Sequence, residues 1–201
     1  MSTPGRHPAP PPDLAFRKLP LARLRGPWFR IHRVVHGAIH FGKQPINRFD
    51  APAGEFGVLY VARTERGAFI ETFGETFGHD TGIRVLDHKE VDTRALSRID
   101  VATPLRLVDL RGPGLARLGA DGELVTGAYA LSQAWALALH DHPSAPDGIV
   151  YRARHDPSQV CAALFERTRR SITTTTLGAF SNARLATLLA ELLDVYDFGL
   201  V

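Results

Sequence analysis

Three residues in the first half of this 201-residue chain could do chemistry together: Arg30, Tyr60 and Glu71. Period-two alternation over residues 28–35 puts Phe29 and Ile31 on one side of a strand and turns Arg30 to the other. Tyr60 lies in the apolar run 58–62, and Glu71 follows on a short helix that begins near Thr64. A hydroxyl and a carboxylate on two rigid elements joined by a tight turn have the preorganisation that a binding site needs. Between Arg30 and Tyr60, residues 41–57 form a long Gly- and Pro-containing loop carrying Lys43, Asn47 and Arg48. Such side chains suit a phosphate or pyrophosphate, and a solvated loop accounts for them equally well. Taken singly, Glu71 reads as a solvated helix carboxylate, Tyr60 as a core tyrosine and Arg30 as a surface-strand arginine.

Other constellations carry less. His32, His36 and His40 are spaced by four, which on a helix would give one stripe, but residues 30–35 read as a strand and Gly37 breaks a helix; no metal site is expected. The lone Cys161 sits in an apolar run, so no internal disulfide forms and a buried, inert thiol is expected. The formal charge of +3 and pI of about 9.3 favour an anionic ligand or partner weakly, and no nucleic-acid motif accompanies the scattered arginines. No stretch resembles a signal peptide or a membrane span, which makes the cytoplasm the expected compartment.

The elements that must position these residues read as follows. Residues 1–27, Pro-dense at 7–12, form an N-terminal arm with a short helical stretch after Asp13, and residues 28–201 form one domain. Residues 58–62 make a central strand buried on both faces, and Thr64 caps the helix that follows. After a Gly-rich turn come a short strand at 84–86, a helix at 89–99 and a strand at 105–109. A helix spans 128–140, a strand opens at 148–151, residues 156–169 are mixed, and an amphipathic helix covers 184–195. Irregular alternation without βαβ spacing indicates an α+β fold.

Several ordered blocks of this chain resemble the RES domain. They are Trp28-Phe29-Arg30-Ile31, Asn47-Arg48-Phe49 with Ala51-Pro52-Ala53-Gly54, Gly57-Val58-Leu59-Tyr60-Val61-Ala62, Ile70-Glu71, residues 105–110 and 133–139, and the run from Asp147 to Pro157. The resemblance covers roughly residues 28–170 and implies a fold related to ADP-ribosyltransferases. It implies a toxin of a bacterial toxin–antitoxin pair with an Xre-like helical antitoxin as partner, and contact with nucleic acid only through that complex. It further implies cleavage of NAD, as substrate, at the nicotinamide–ribose bond, with a protein side chain or inorganic phosphate as acceptor. Glu71 then matches the family Glu that stabilises positive charge on the ribose. Arg30 matches the Arg that meets the pyrophosphate, with Lys43, Arg48 and Asn47 as helpers, and Tyr60 the Tyr that orients the nicotinamide. The departure is at Ala153: the family reads Tyr-x-Ser-Arg where this chain reads Tyr151-Arg152-Ala153-Arg154. Loss of one hydroxyl donor implies activity attenuated by about 2–4 kcal/mol in the barrier.

Overall fold

The computed structural model describes residues 8–76 and 84–201. In chain order these form β1 (Leu21–Leu24), β2 (Trp28–Arg33), β3 (Val58–Ala62), α1 (Glu65–Phe73), β4 (Arg84–Leu86), α2 (His88–Asp92), β5 (Arg94–Val101), β6 (Leu105–Asp109), α3 (Gly114–Leu118), α4 (Glu123–Thr126), α5 (Tyr129–His140), β7 (Gly148–Arg152), β8 (Val160–Phe165), β9 (Ile172–Ala179), α6 (Ala186–Val195) and β10 (Phe198–Leu200). Eight strands make one sheet in the order β1-β6-β7-β8-β3-β2-β5-β9, and β10 pairs with β4 in a small parallel ribbon. This is the mixed α+β architecture expected from the sequence. The Gly-rich turn expected after residue 74 falls largely on residues 77–83, outside the described residues.

The sheet is not continuous in its middle. β3 pairs with β8 along its whole length, and β2 pairs with β5 along its whole length. β2 and β3 meet through one pair, Phe29 opposite Ala62. From that point β2 runs on towards Arg33 and β3 back towards Val58 without a shared ladder, so the sheet splits there. The apolar run of β3 is buried on both faces, as is that of β8, which explains why these strands sit at the centre.

α1 starts where the sequence places it. The Thr64 hydroxyl accepts from the Gly67 N–H at 2.9 Å, and Glu65 lies in the first turn. A Cβ at Gly67 would lie 3.0 Å from that of Ala62, so glycine lets the helix pack closely on β3. α5 buries Trp135, Ala136 and Leu139, and α6 buries Leu189 and Leu192.

Three expectations are corrected. The helix expected over 89–99 stops after one turn, α2, and the rest is the strand β5. Leu96 and Ile99 suit either period, and pairing with both β2 and β9 decides for the strand. The mixed stretch 156–169 contains the fully laddered β8, and β9, with its threonine run, had no apolar signal to reveal it. The boundary after residue 27 does not separate an arm from a body. Leu21–Leu24 is the outer strand of the main sheet, Leu14 and Leu19 are buried in the core, and the Trp135 indole donates to the Pro8 carbonyl at 2.9 Å. Accordingly, Leu14→Ala and Leu19→Ala should each cost about 2–5 kcal/mol, or roughly 5–15 °C in thermal midpoint. Phe16→Ala, at a side chain 92% exposed, should stay within about 0.5 kcal/mol. Melting curves that fail to separate these substitutions would show that the segment is a loose arm after all.

Candidate functional site

The split between β2 and β3 opens into a cavity of about 420 Å³, within the range of small-molecule sites. Arg30 reaches it from β2, Tyr60 from β3 and Glu71 from α1, while Asn47 and Arg48 reach it from the long loop. Tyr151 at the end of β7 and Arg154 just beyond it close the far side.

Arg30 is the least satisfied group. Its Nε and Nη1 are inaccessible to water and have no hydrogen-bond partner among the described residues. Burial, reinforced by the nearby Arg94 cation, lowers its pKa to about 10, so it stays charged at neutral pH. A buried guanidinium with idle donors is costly unless an anion meets it. Arg94 also lines the cavity, but its guanidinium is held by Glu90. Arg154 stands at the exposed mouth. Arg48 is committed to structure: Nη1 donates to the Gly127 carbonyl at 2.7 Å, and the guanidinium stacks 4.9 Å from the centre of the Tyr129 ring.

Glu71 is the opposing charge. Its Oε2 accepts from the Tyr151 hydroxyl at 2.8 Å, and the backbone N–H of Arg154 donates to the same carboxylate. Burial nevertheless pushes its pKa above the ordinary carboxylate value. The same burial, with Glu71 beside it, holds Tyr151 well above the usual phenol range, so Tyr151 remains a donor. A helical wheel alone would leave Glu71 in solvent. It points inward because α1 packs across the split, against β2 as well as β3.

Tyr60 does more than line the cavity. Its hydroxyl accepts from the Phe49 N–H at 2.9 Å and donates to Asp50 Oδ1 at 3.0 Å. Asp50 Oδ2 takes the backbone and side-chain N–H groups of Asn47 at 2.7 and 2.9 Å. Gln133 donates to the carbonyls of Pro45 and Asn47 at 3.1 and 3.0 Å. The loop is therefore bound down rather than merely solvated.

Of the residues expected from sequence, the cavity gathers Arg30, Asn47, Arg48, Tyr60 and Glu71. It does not gather two others. Lys43 pairs with Glu166 at 3.1 Å, since the loop enters the cavity only from Ile46 onward, and Ala153 is packed in the core at 1% exposure beneath the wall. The sequence reading does not include Tyr151, Arg154, Arg94 or Asp50 among the site residues. Tyr151 and Arg154 flank Ala153 in a block already recognised, whereas nothing local marks Asp50 or Arg94. His32 turns inward, with Nε2 2.9 Å from the Ser97 hydroxyl, and His36 and His40 stack on each other 4.9 Å apart.

The family model for the RES domain matches residues 27–179, which include every wall residue of the cavity. The chain belongs to the RES domain family. It is similar to "Probable toxin y4kH" of Sinorhizobium fredii (strain NBRC 101917 / NGR234), 27% identical over 113 residues, 56% of this chain and 87% of the relative. Its fold resembles a chain in the crystal structure of the M. tuberculosis MbcT–MbcA toxin–antitoxin complex, with a TM-score of 0.59 and 17% identity, covering 86% of this chain and 91% of the other. The chain thus shares the fold of that neighbour, a mixed α+β architecture as expected from the sequence. In this RES domain, residues 8–26 and 180–201 lie outside the matched region and still pack into the same body.

Two buried charges facing one cavity should lower stability. Because Glu71 has a folded pKa above its unfolded one, it weakens the fold as pH rises through the raised value and not in acid below about 4. Glu71→Gln and Arg30→Met should therefore raise the thermal midpoint near neutral pH, by about 2–6 °C. The gain for Glu71→Gln should vanish on acidification, and a gain independent of pH would contradict this account.

Proposed function

We propose that this RES domain is the toxin of a bacterial toxin–antitoxin pair, acting in the cytoplasm, and that it cleaves NAD at the nicotinamide–ribose bond. The observation that carries the reading is the unpartnered Arg30 guanidinium and the buried Glu71 carboxylate facing one cavity of about 420 Å³. Among the described residues, no helix is long and apolar enough to cross a membrane. The solved neighbour is a toxin–antitoxin complex, which supports an antitoxin partner, here an Xre-like helical protein.

The residues present fit the substrate. The pyrophosphate meets the idle donors of Arg30, with Arg94 and Arg154 adding positive charge. The ribose lies towards Glu71, whose carboxylate is held by Tyr151 and by the Arg154 backbone. As the C–N bond breaks, its electron pair leaves with neutral nicotinamide and positive charge grows on the ribose carbon, where the carboxylate stabilises it. An acceptor oxygen or nitrogen, from inorganic phosphate or a protein side chain, then bonds to that carbon and releases its proton. Tyr60 holds the loop wall and presents its ring to the nicotinamide end. Ala153 favours a slower enzyme, and it keeps open a second reading, a module that binds NAD or an antitoxin without turnover.

Nicotinamide release from labelled NAD decides between these. Glu71→Ala should abolish it, with a loss of about a thousandfold or more, and Arg30→Ala should weaken NAD binding by at least about tenfold. Ala153→Ser should raise turnover, by up to about a hundredfold. Label appearing on phosphate or on protein identifies the acceptor. Binding of NAD with no turnover in either the parent chain or Ala153→Ser would leave only the binding module.

A further inference from the structure

A second cavity, of about 300 Å³, lies at the outer edge of the sheet, beside β1. Its apolar part is Leu19 and Leu21, and Arg17, Lys18, Arg117, His142 and Ser144 line the rest, with no carboxylate among them. The frame around it is fixed. Buried His142 accepts the Ser144 N–H at Nδ1, 3.0 Å away, which leaves the proton on Nε2, 3.1 Å from the Arg17 carbonyl. That hydrogen bond ties the segment before β1 to the loop after α5. A Cβ on Gly119 would lie 3.6 Å from Arg17 Nη1, so Arg17 rests against the end of α3, the helix that carries Arg117. Asp13 offsets Arg17 at 2.8 Å, whereas Lys18 and Arg117 have no ion-pair partner among the described residues. Phe16, next in sequence, is 92% exposed. β1 pairs only with β6 among the described residues, leaving its outer side open.

We propose that this face binds an extended acidic segment of a partner protein. The segment adds along the open side of β1, places one large apolar side chain over Leu19 and Leu21, and sets carboxylates against Lys18 and Arg117. Addition to a sheet edge supplies main-chain hydrogen bonds, while the cavity and the two unpaired cations supply selectivity. The charge of the rim decides for an acidic partner. None of these residues lines the substrate cavity, so the proposal stands apart from the NAD reading.

The probe is a fluorescein-labelled peptide, Asp-Glu-Leu-Asp-Leu-Glu-Asp, titrated with the full chain at low salt and read by anisotropy. Saturable binding is expected, weakened about tenfold by Lys18→Glu with Arg117→Glu and by an intermediate factor with Lys18→Gln and Arg117→Gln. The same peptide with both leucines replaced by serine should bind at least about fivefold more weakly. Nicotinamide release should be unchanged in both double variants. No saturable binding, binding indifferent to both double variants, or a labelled oligothymidylate that binds in place of the peptide would overturn the proposal.

Discussion

The parting of β2 from β3 is the constraint on which the rest of this RES domain depends. Two neighbouring strands that meet only at Phe29 and Ala62 leave backbone edges and side chains facing an opening inside the sheet. A fold can hold such an opening only if each strand is anchored on its other side. β5 anchors β2 and β8 anchors β3, in both cases along the whole strand. The cleft is therefore rigid although it is locally unpaired, and α1 lies across it with Glu71 directed inward.

The cleft is lined at a cost to stability. Arg30 keeps its charge at neutral pH with two idle donors, and Glu71 is held above its ordinary pKa by burial. Charges in such surroundings reduce stability unless a partner of opposite sign arrives, and this is how binding sites commonly trade stability for function. The Glu71 carboxylate is not left to wander. Tyr151, near the end of β7, and the Arg154 N–H, just beyond that strand, fix its orientation from the opposite side of the cleft.

The long loop over the cleft is ordered by the same logic. The Tyr60 hydroxyl and Asp50 form a buried knot that takes up the N–H groups of Phe49 and Asn47, and Gln133 takes up two of the loop carbonyls. With its polar groups satisfied internally, the loop loses its conformational entropy on folding rather than on ligand binding. Residues 8–27 belong to the same body for a similar reason. Their leucines complete the core, and β1 adds a strand to the sheet.

Local pattern was enough to read β3, the Thr64 cap, α1, α5 and α6 from the sequence, because each is set by its own periodicity and its own end signals. The ordered blocks also carried the family, and with it Arg30 and Glu71. Tertiary structure decided what depends on partners far away in the chain. Residues 94–101 are a strand because β2 and β9 flank them, and β9 itself has no apolar signature of its own. Glu71 faces the cleft because α1 packs across the split, which no helical wheel encodes. Lys43 is drawn to Glu166 and Ala153 sinks beneath the cavity wall, whereas Tyr151, Arg154 and Arg94 arrive at it. Residue type and spacing show which groups can do chemistry. Which of them share one low-dielectric cavity is set by strand pairing across long sequence separations, and that appears only when the chain is folded.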